Sequence, residues 1–380
     1  MRIFDTHAHY DSRQFNDDRD ELLHILRGDS SYKDVSLSKT ESAGDDFTAV
    51  KESIDNKDER NVIVGRIINV GADMKSSQTT LELAGKYDHI YAAVGVHPDS
   101  AGELIWCPEK CLPGNSIDAV QAENETGTHL PSEMADGKVD GNGVVSGVEA
   151  DTDDNTEESA YKGLSEYICD ENRELLRVLA TKQKVIAIGE IGLDYHWDIW
   201  PRDIQKQAFK WQWELAQELD LPVIIHSRDA AEDTLNMVRD FYGALKTNNC
   251  KSDAISNTDC KELCGNNFAK EMRAVMHCYS YSPEHAEEYL KMGLMFGIGG
   301  VVTFKNAKKL KEVVDLLPLD RIMLETDCPY MAPDPFRGKR NDSGYLTYVA
   351  EKIAEIKGIN VKTVYDRTWE NAEQFFGITD

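Results

Sequence analysis

The sequence contains no uninterrupted apolar run approaching the ~18 residues that a membrane-crossing helix needs, which excludes a helical span. It shows no charged leader followed by an apolar stretch. Met1-Arg2-Ile3-Phe4-Asp5 runs straight into a strand-like segment, so the expected setting is soluble and cytoplasmic. Positive charge is scarce: 42 Lys+Arg face 68 Asp+Glu, a net charge of −26. That balance excludes attachment to nucleic acid or an anionic membrane through a general basic surface. No internal repeat suggests a solenoid. The eight cysteines include the spacings Cys107/Cys111 and Cys250/Cys260/Cys264, but no paired zinc signature, and are expected to be free thiols.

What is present is enough for a sizeable core, with 41% hydrophobic residues and 15 Tyr, 11 Phe and 6 Trp. Length alone suggests two or three domains. Three polar stretches without apolar periodicity, 28–60, 102–169 and 244–271, read instead as insertions. Removing them leaves close to the ~250 residues of one (β/α)8 barrel. Short β-branched runs lie at 3–4, 62–70, 90–96, 184–189, 222–225, 273–276, 294–298 and 321–325. Segments with apolar residues every three or four positions, such as 203–220 and 229–242, separate them. Strand alternating with helix implies a parallel sheet. The expected fold is therefore a single α/β TIM barrel spanning 1–380 with three polar insertions.

The residues just past these strands carry the chemistry. They include Asp5-Thr6-His7-Ala8-His9, His97-Pro98, Glu190 through Asp194, His226-Ser227-Arg228, His277-Cys278 and Glu325-Thr326-Asp327. Strand C-terminal ends share one barrel face, where active sites of this fold sit. His7 and His9, two apart on a strand, point the same way and can reach one ion. Asp327 adds a carboxylate from the adjacent eighth strand. Glu190 can bridge to a second ion completed by His226 and His277. Such a set predicts two divalent ions per chain, and mixed imidazole and carboxylate ligation suits Mg²⁺, Mn²⁺, Zn²⁺ or Co²⁺. Cys278 and Cys328 would face away from the site as small buried residues.

These segments resemble the TatD family of metal-dependent hydrolases, within the amidohydrolase-like superfamily. The resemblance runs through Asp-Thr-His-Ala-His at 5–9, Gly-Val-His-Pro at 95–98, Gly-Glu-Ile-Gly-Leu-Asp-Tyr at 189–195 and His-Ser-Arg-Asp-Ala at 226–230. It continues through His-Cys-Tyr-Ser at 277–280, Thr-Phe-Lys-Asn-Ala at 303–307, Glu-Thr-Asp-Cys-Pro-Tyr-Met-Ala-Pro at 325–333 and Arg-Gly-Lys-Arg-Asn at 337–341. It implies a TIM barrel acting as a divalent-metal phosphodiesterase, with deoxyribonuclease activity as the family's usual assignment. Many superfamily relatives bridge two metals with a carbamylated lysine after strand four; Glu190 stands there in this chain. That difference favours the TatD-like reading over a cyclic amidase.

A hydrolysis follows in which Asp327 orients the attacking water or accepts its proton, beside ions bridged by Glu190. The expected substrate is a DNA or RNA end; hydrolysis of a small amide or ester is the alternative. His97, Arg228, Lys305, Arg337 and Arg340 follow strand ends and can present donors to phosphate oxygens. Asp194 can orient a ligand or substrate group, whereas Asp5 is expected to support its loop. Tyr281 stands where the family commonly has glycine, and Ser343-Gly344 where Glu-Pro is usual. The stretch 102–169 follows strand three on the catalytic side and holds 15 acidic against 3 basic residues. The charge thus predicts local, metal-centred binding of a few nucleotides and not a long electrostatic footprint.

Overall fold

The computed structural model describes residues 1–29, 62–105, 169–252 and 273–378. Of the expected insertions, 30–60, 106–168 and 253–271 lie outside these residues. Where their edges are described, ordered structure reaches further than the polar composition suggests. Gly102–Ile105 is a short helix whose Leu104 and Ile105 are fully buried, and the helix Ala231–Ser252 runs past the expected boundary at 244.

Eight strands form one sheet in sequence order: β1 (Arg2–Ala8), β2 (Ile63–Val70), β3 (Ile90–Val94), β4 (Val185–Asp194), β5 (Val223–Arg228), β6 (Ala274–Met276), β7 (Met295–Ile298) and β8 (Ile322–Leu324). Every neighbouring pair is parallel. The ring closes where Ala8 bridges Cys328 and Thr6 Oγ1 donates to the Leu324 carbonyl at 3.1 Å. The fold is a (β/α)8 TIM barrel. β2, Ile-Val-Gly-Arg-Ile-Ile-Asn-Val, is buried along almost its whole length, as a strand covered on both faces must be. β4 continues five residues past the expected end at 189, which carries Asp194 to the rim of the strand C-termini beside Arg228 of β5.

The barrel interior is filled by one or two residues from each strand: Phe4, Ile68 and Val70, Ala93, Ala187, Ile224, Val275, Met295 and Met323. The last helix, Val361–Phe376, packs Trp369, Ala372, Phe375 and Phe376 against this group. That helix starts on an Asn360 cap and ends at Gly377 in the left-handed conformation. The aromatic plug seals one end of the barrel and leaves the strand C-termini as the open mouth.

One glycine fixes the mouth. Gly192 has φ +151°, and a Cβ there would lie 1.9 Å from the His226 carbonyl oxygen. Gly192→Ala should therefore cost more than ~3 kcal/mol and displace β5 with its histidine. Gly85, in the helix Met74–Lys86, has nothing within 4 Å of its virtual Cβ. Gly85→Ala should stabilise by up to ~1 kcal/mol. Thermal unfolding of the two variants should move in opposite directions; a shared direction would show that the close approach at Gly192 does not constrain the barrel.

Candidate metal centre

The strand order brings six of the expected residues together. His7 and His9 project to the same side of β1 and the residue after it, with their Nε2 atoms 3.2 Å apart. Two carboxylates meet this pair. Glu190 Oε2 lies 3.5 Å from His7 Nε2 and 4.0 Å from His9 Nε2, and Asp327 Oδ1 lies 3.9 and 3.3 Å from the same atoms. The other Glu190 oxygen serves a second group. Oε1 is 2.6 Å from His226 Nδ1 and 3.6 Å from His277 Nε2. The structure thus contains two donor groups, each built on a different oxygen of one carboxylate. His277 Nε2 also approaches Asp327 Oδ1, at 3.8 Å.

Further groups hold these side chains in place. His9 Nδ1 meets the Val70 carbonyl at 2.8 Å, which fixes that nitrogen as the protonated one and frees Nε2. His226 Nε2 faces Asp194 Oδ2 at 3.0 Å, and His277 Nδ1 faces Glu325 Oε1 at 3.0 Å. Imidazoles backed by a carboxylate are oriented and made more basic toward a metal. Asp5 is fully buried and knits β1 to the β8 loop, accepting from Thr326 N, Thr326 Oγ1, Ser343 Oγ and His7 N. It supports the loop, as expected. Asp327 and Cys278 adopt left-handed backbone conformations (φ +56° and +45°), held by the bonds from Asp327 N to the His7 carbonyl and from Cys278 N to Glu325 Oε1. Non-glycine residues persist there only when their surroundings enforce it.

Glu325 is the residue that motif reading missed. Its advance signals were its place at the end of strand eight, in the segment 325–333 shared with the family, and its spacing: residues 325 and 327 lie two apart, as His7 and His9 do. Gly297 makes room for it, since a Cβ on Gly297 would sit 1.9 Å from Glu325 Oε2. Glu325→Gln keeps the shape but removes the anion behind His277. Metal affinity of the His226/His277 group should fall ~10- to 100-fold, measured by competition with a chromophoric chelator. Unchanged affinity would reduce Glu325 to a structural role.

The donor set has the composition of a divalent-ion cage: imidazole nitrogens and carboxylate oxygens converging in a largely buried cluster. Burial opposes ionisation of Glu190, yet the imidazoles of His277, His226 and His7 outweigh it and hold the carboxyl well below the usual range. Burial likewise pulls the histidines down. The adjacent carboxylates reverse that for three of them, raising His9 to about 9, His226 to about 10 and His277 to about 9. His7 is lowered, by burial and then by His277. In chelated protein the three raised imidazoles therefore carry protons at pH 7–8. Metal ligation requires them neutral, so binding should release protons, and affinity should climb as pH rises toward 9–10. Titrating metal into chelated protein in weak buffer should acidify the solution; no acidification would remove these histidines from the ligand set.

The expected substrate contacts separate. His97 lies against the cluster, its ring 4.2 Å from that of His226 and edge-on. Its Nδ1 accepts from Asp99 N, which leaves Nε2–H as a donor, and burial followed by His226 lowers its pKa to about 3. Arg228 stands beside Asp194 in the strand register, with its guanidinium over Trp197 at 5.6 Å. Lys305 is exposed, and Arg337 is exposed over the Phe304 ring at 4.7 Å. The Arg340 guanidinium binds both oxygens of Asp18 and the Gln14 carbonyl, and covers Phe15. Asp194 contacts His226 and accepts the backbone N–H groups of His196 and Trp197, orienting a donor of the cluster. The hydroxyl of Tyr281 bonds to Ser227 Oγ and Ala230 N, bracing the end of β5 that carries Arg228.

Comparison with known proteins agrees with this geometry. The family model described as TatD related DNase matches residues 4–377. The metal-dependent hydrolase YabD of Bacillus subtilis is 32% identical over 99% of both chains. The 3′-5′ ssDNA/RNA exonuclease TatD of Rahnella is 32% identical over 54% of this chain and 70% of its own. The solved structure of YJJV, a TatD homolog from Escherichia coli K12, shares the fold with a TM-score of 0.58 at 22% identity, covering 99% of this chain and 98% of that one. The chain thus belongs to the TatD-related DNase family of metal-dependent hydrolases.

Proposed function

We propose that the chain hydrolyses phosphodiester bonds at nucleic-acid ends, with two divalent ions held by His7, His9, Asp327 and Glu190 on one side and Glu190, His226 and His277 on the other. The observation that carries this reading is the split of Glu190, one oxygen to each donor group. Divalent ions held there would supply Lewis acidity toward a phosphoryl oxygen and acidify a water molecule. The protein's own residues do the rest. Asp327, ionised and beside both donor groups, orients the attacking water and accepts its proton. His97 Nε2–H and the Arg228 guanidinium present donors to the non-bridging phosphate oxygens. Lys305 and Arg337 extend this donor set at the exposed rim, and Arg340 serves the scaffold through Asp18. Among the described residues no helix is long and apolar enough to cross a membrane.

The Rahnella relative's name, a single-strand exonuclease, supports nucleic acid as the substrate. The test incubates chelated and then Mg²⁺-, Mn²⁺-, Zn²⁺- or Co²⁺-reconstituted protein with end-labelled single- and double-stranded oligonucleotides, alongside small amides and esters. Metal-dependent shortening from an end is the expected result. Turnover of only the amides or esters would replace the nuclease reading with a small-molecule hydrolase.

A further inference from the structure

Among the described residues, two aromatic rings stand open to solvent in loops that follow strand C-termini. Trp197, in the loop after β4, is 41% exposed, and Tyr330, in the loop after β8, is 44% exposed. Each lies three residues beyond a carboxylate of the centre, Asp194 and Asp327 respectively.

Both are held in place. Asp194 grips His226 with Oδ2 and receives Trp197 N with Oδ1 at 3.0 Å, so one carboxylate couples the cluster to the backbone that presents the indole. The far end of the same loop is anchored by Trp200, whose Nε1–H donates to the Asp99 carbonyl and whose ring covers Gly102. The Arg228 guanidinium lies 5.6 Å from the Trp197 ring centroid, and the His196 ring abuts it edge-on at 5.0 Å. Tyr330 is fixed by its N–H to the Asp327 carbonyl, and its own carbonyl receives Asn341 Nδ2. In an eight-stranded ring β4 and β8 stand opposite each other. The rings therefore rise from opposite sides of the metal centre.

We infer that Trp197, with Arg228, and Tyr330 are base-stacking positions for the two nucleotides flanking the scissile phosphate. The inference rests on the nuclease reading above and deepens it: the substrate is a strand whose bases on both sides of the cleaved bond are unpaired. Stacking on an aromatic ring is sequence-tolerant and needs the face of a free base. It also gives a strongly acidic protein a grip on nucleic acid that does not depend on a basic surface.

The experiment uses full-length, metal-loaded protein and single-stranded oligonucleotides carrying an abasic residue immediately 5′ or 3′ of the phosphate that the wild type cleaves. On the intact strand, Trp197→Ala and Tyr330→Ala should each lower kcat/KM by about tenfold or more, chiefly through KM. Trp197→Phe should recover most of the loss. An abasic residue on one side should abolish the Trp197→Ala penalty, and one on the other side the Tyr330→Ala penalty. Full activity of both variants on the intact strand, or penalties indifferent to the abasic position, would overturn the stacking assignment while leaving the nuclease reading intact. Failure of the wild type to cut any oligonucleotide would overturn that reading and the stacking with it.

Discussion

Glu190→Gln should abolish detectable turnover, with a fall of at least ~1,000-fold, because one substitution weakens both donor groups. Glutamine preserves size and leaves an oxygen and an NH2 in place of two anionic oxygens. Neither donor group would keep its shared charge, although His226 Nδ1 sits 2.6 Å from one oxygen and His7 Nε2 3.5 Å from the other. The wild-type carboxyl is held ionised by three imidazoles, so its loss also leaves those imidazoles without their nearest anion. Metal content should fall at both positions together. Retained turnover in a folded, metal-loaded Glu190→Gln protein would show that the bridge is not needed.

Asp327→Asn separates chemistry from assembly. Its expected effect is a loss of ~100- to 10,000-fold in kcat, the range associated with removing a general base. The group formed by Glu190, His226 and His277 does not include it, so at least that ion should stay bound. Asp327 occupies a left-handed backbone conformation that asparagine tolerates well, so the substitution adds little strain of its own. The loss then reports the carboxylate itself. Metal analysis and circular dichroism alongside single-turnover cleavage check this, and unchanged kcat would assign the proton to another acceptor.

Much of this centre was legible before the fold was known, because strand C-termini converge on one face and the ligands follow strands directly. His7 and His9 needed only the two-residue period of a strand. Glu190 required the order of strands and the absence of a lysine there. Three features were not legible, each for a reason of geometry. Glu325 looked like part of a motif, and its role depends on β6 and β8 both flanking β7, where only Gly297 leaves it space to reach His277. Arg340 follows a strand end like the other candidates, and its partner Asp18 lies 322 residues away. Exposure of Trp197 and Tyr330 depends on how their loops are anchored, through Asp194, Trp200 and Asn341, which sequence does not display. At the fold level all eight strands fall where expected, although β1 and β4 run four and five residues past their expected ends, whereas Gly102–Ile105 was read as polar insertion although Leu104 and Ile105 are buried. Four residues are too few to show periodicity.

The central claim is that Glu190 joins two ion sites through its separate oxygens. Anomalous diffraction from crystals of the Mn²⁺-loaded protein tests it most directly. Two peaks ~3.5–4 Å apart, one beside His7, His9 and Asp327, the other beside His226 and His277, with Glu190 between them, are the predicted result. A single peak, or a pair that does not share Glu190, would contradict it.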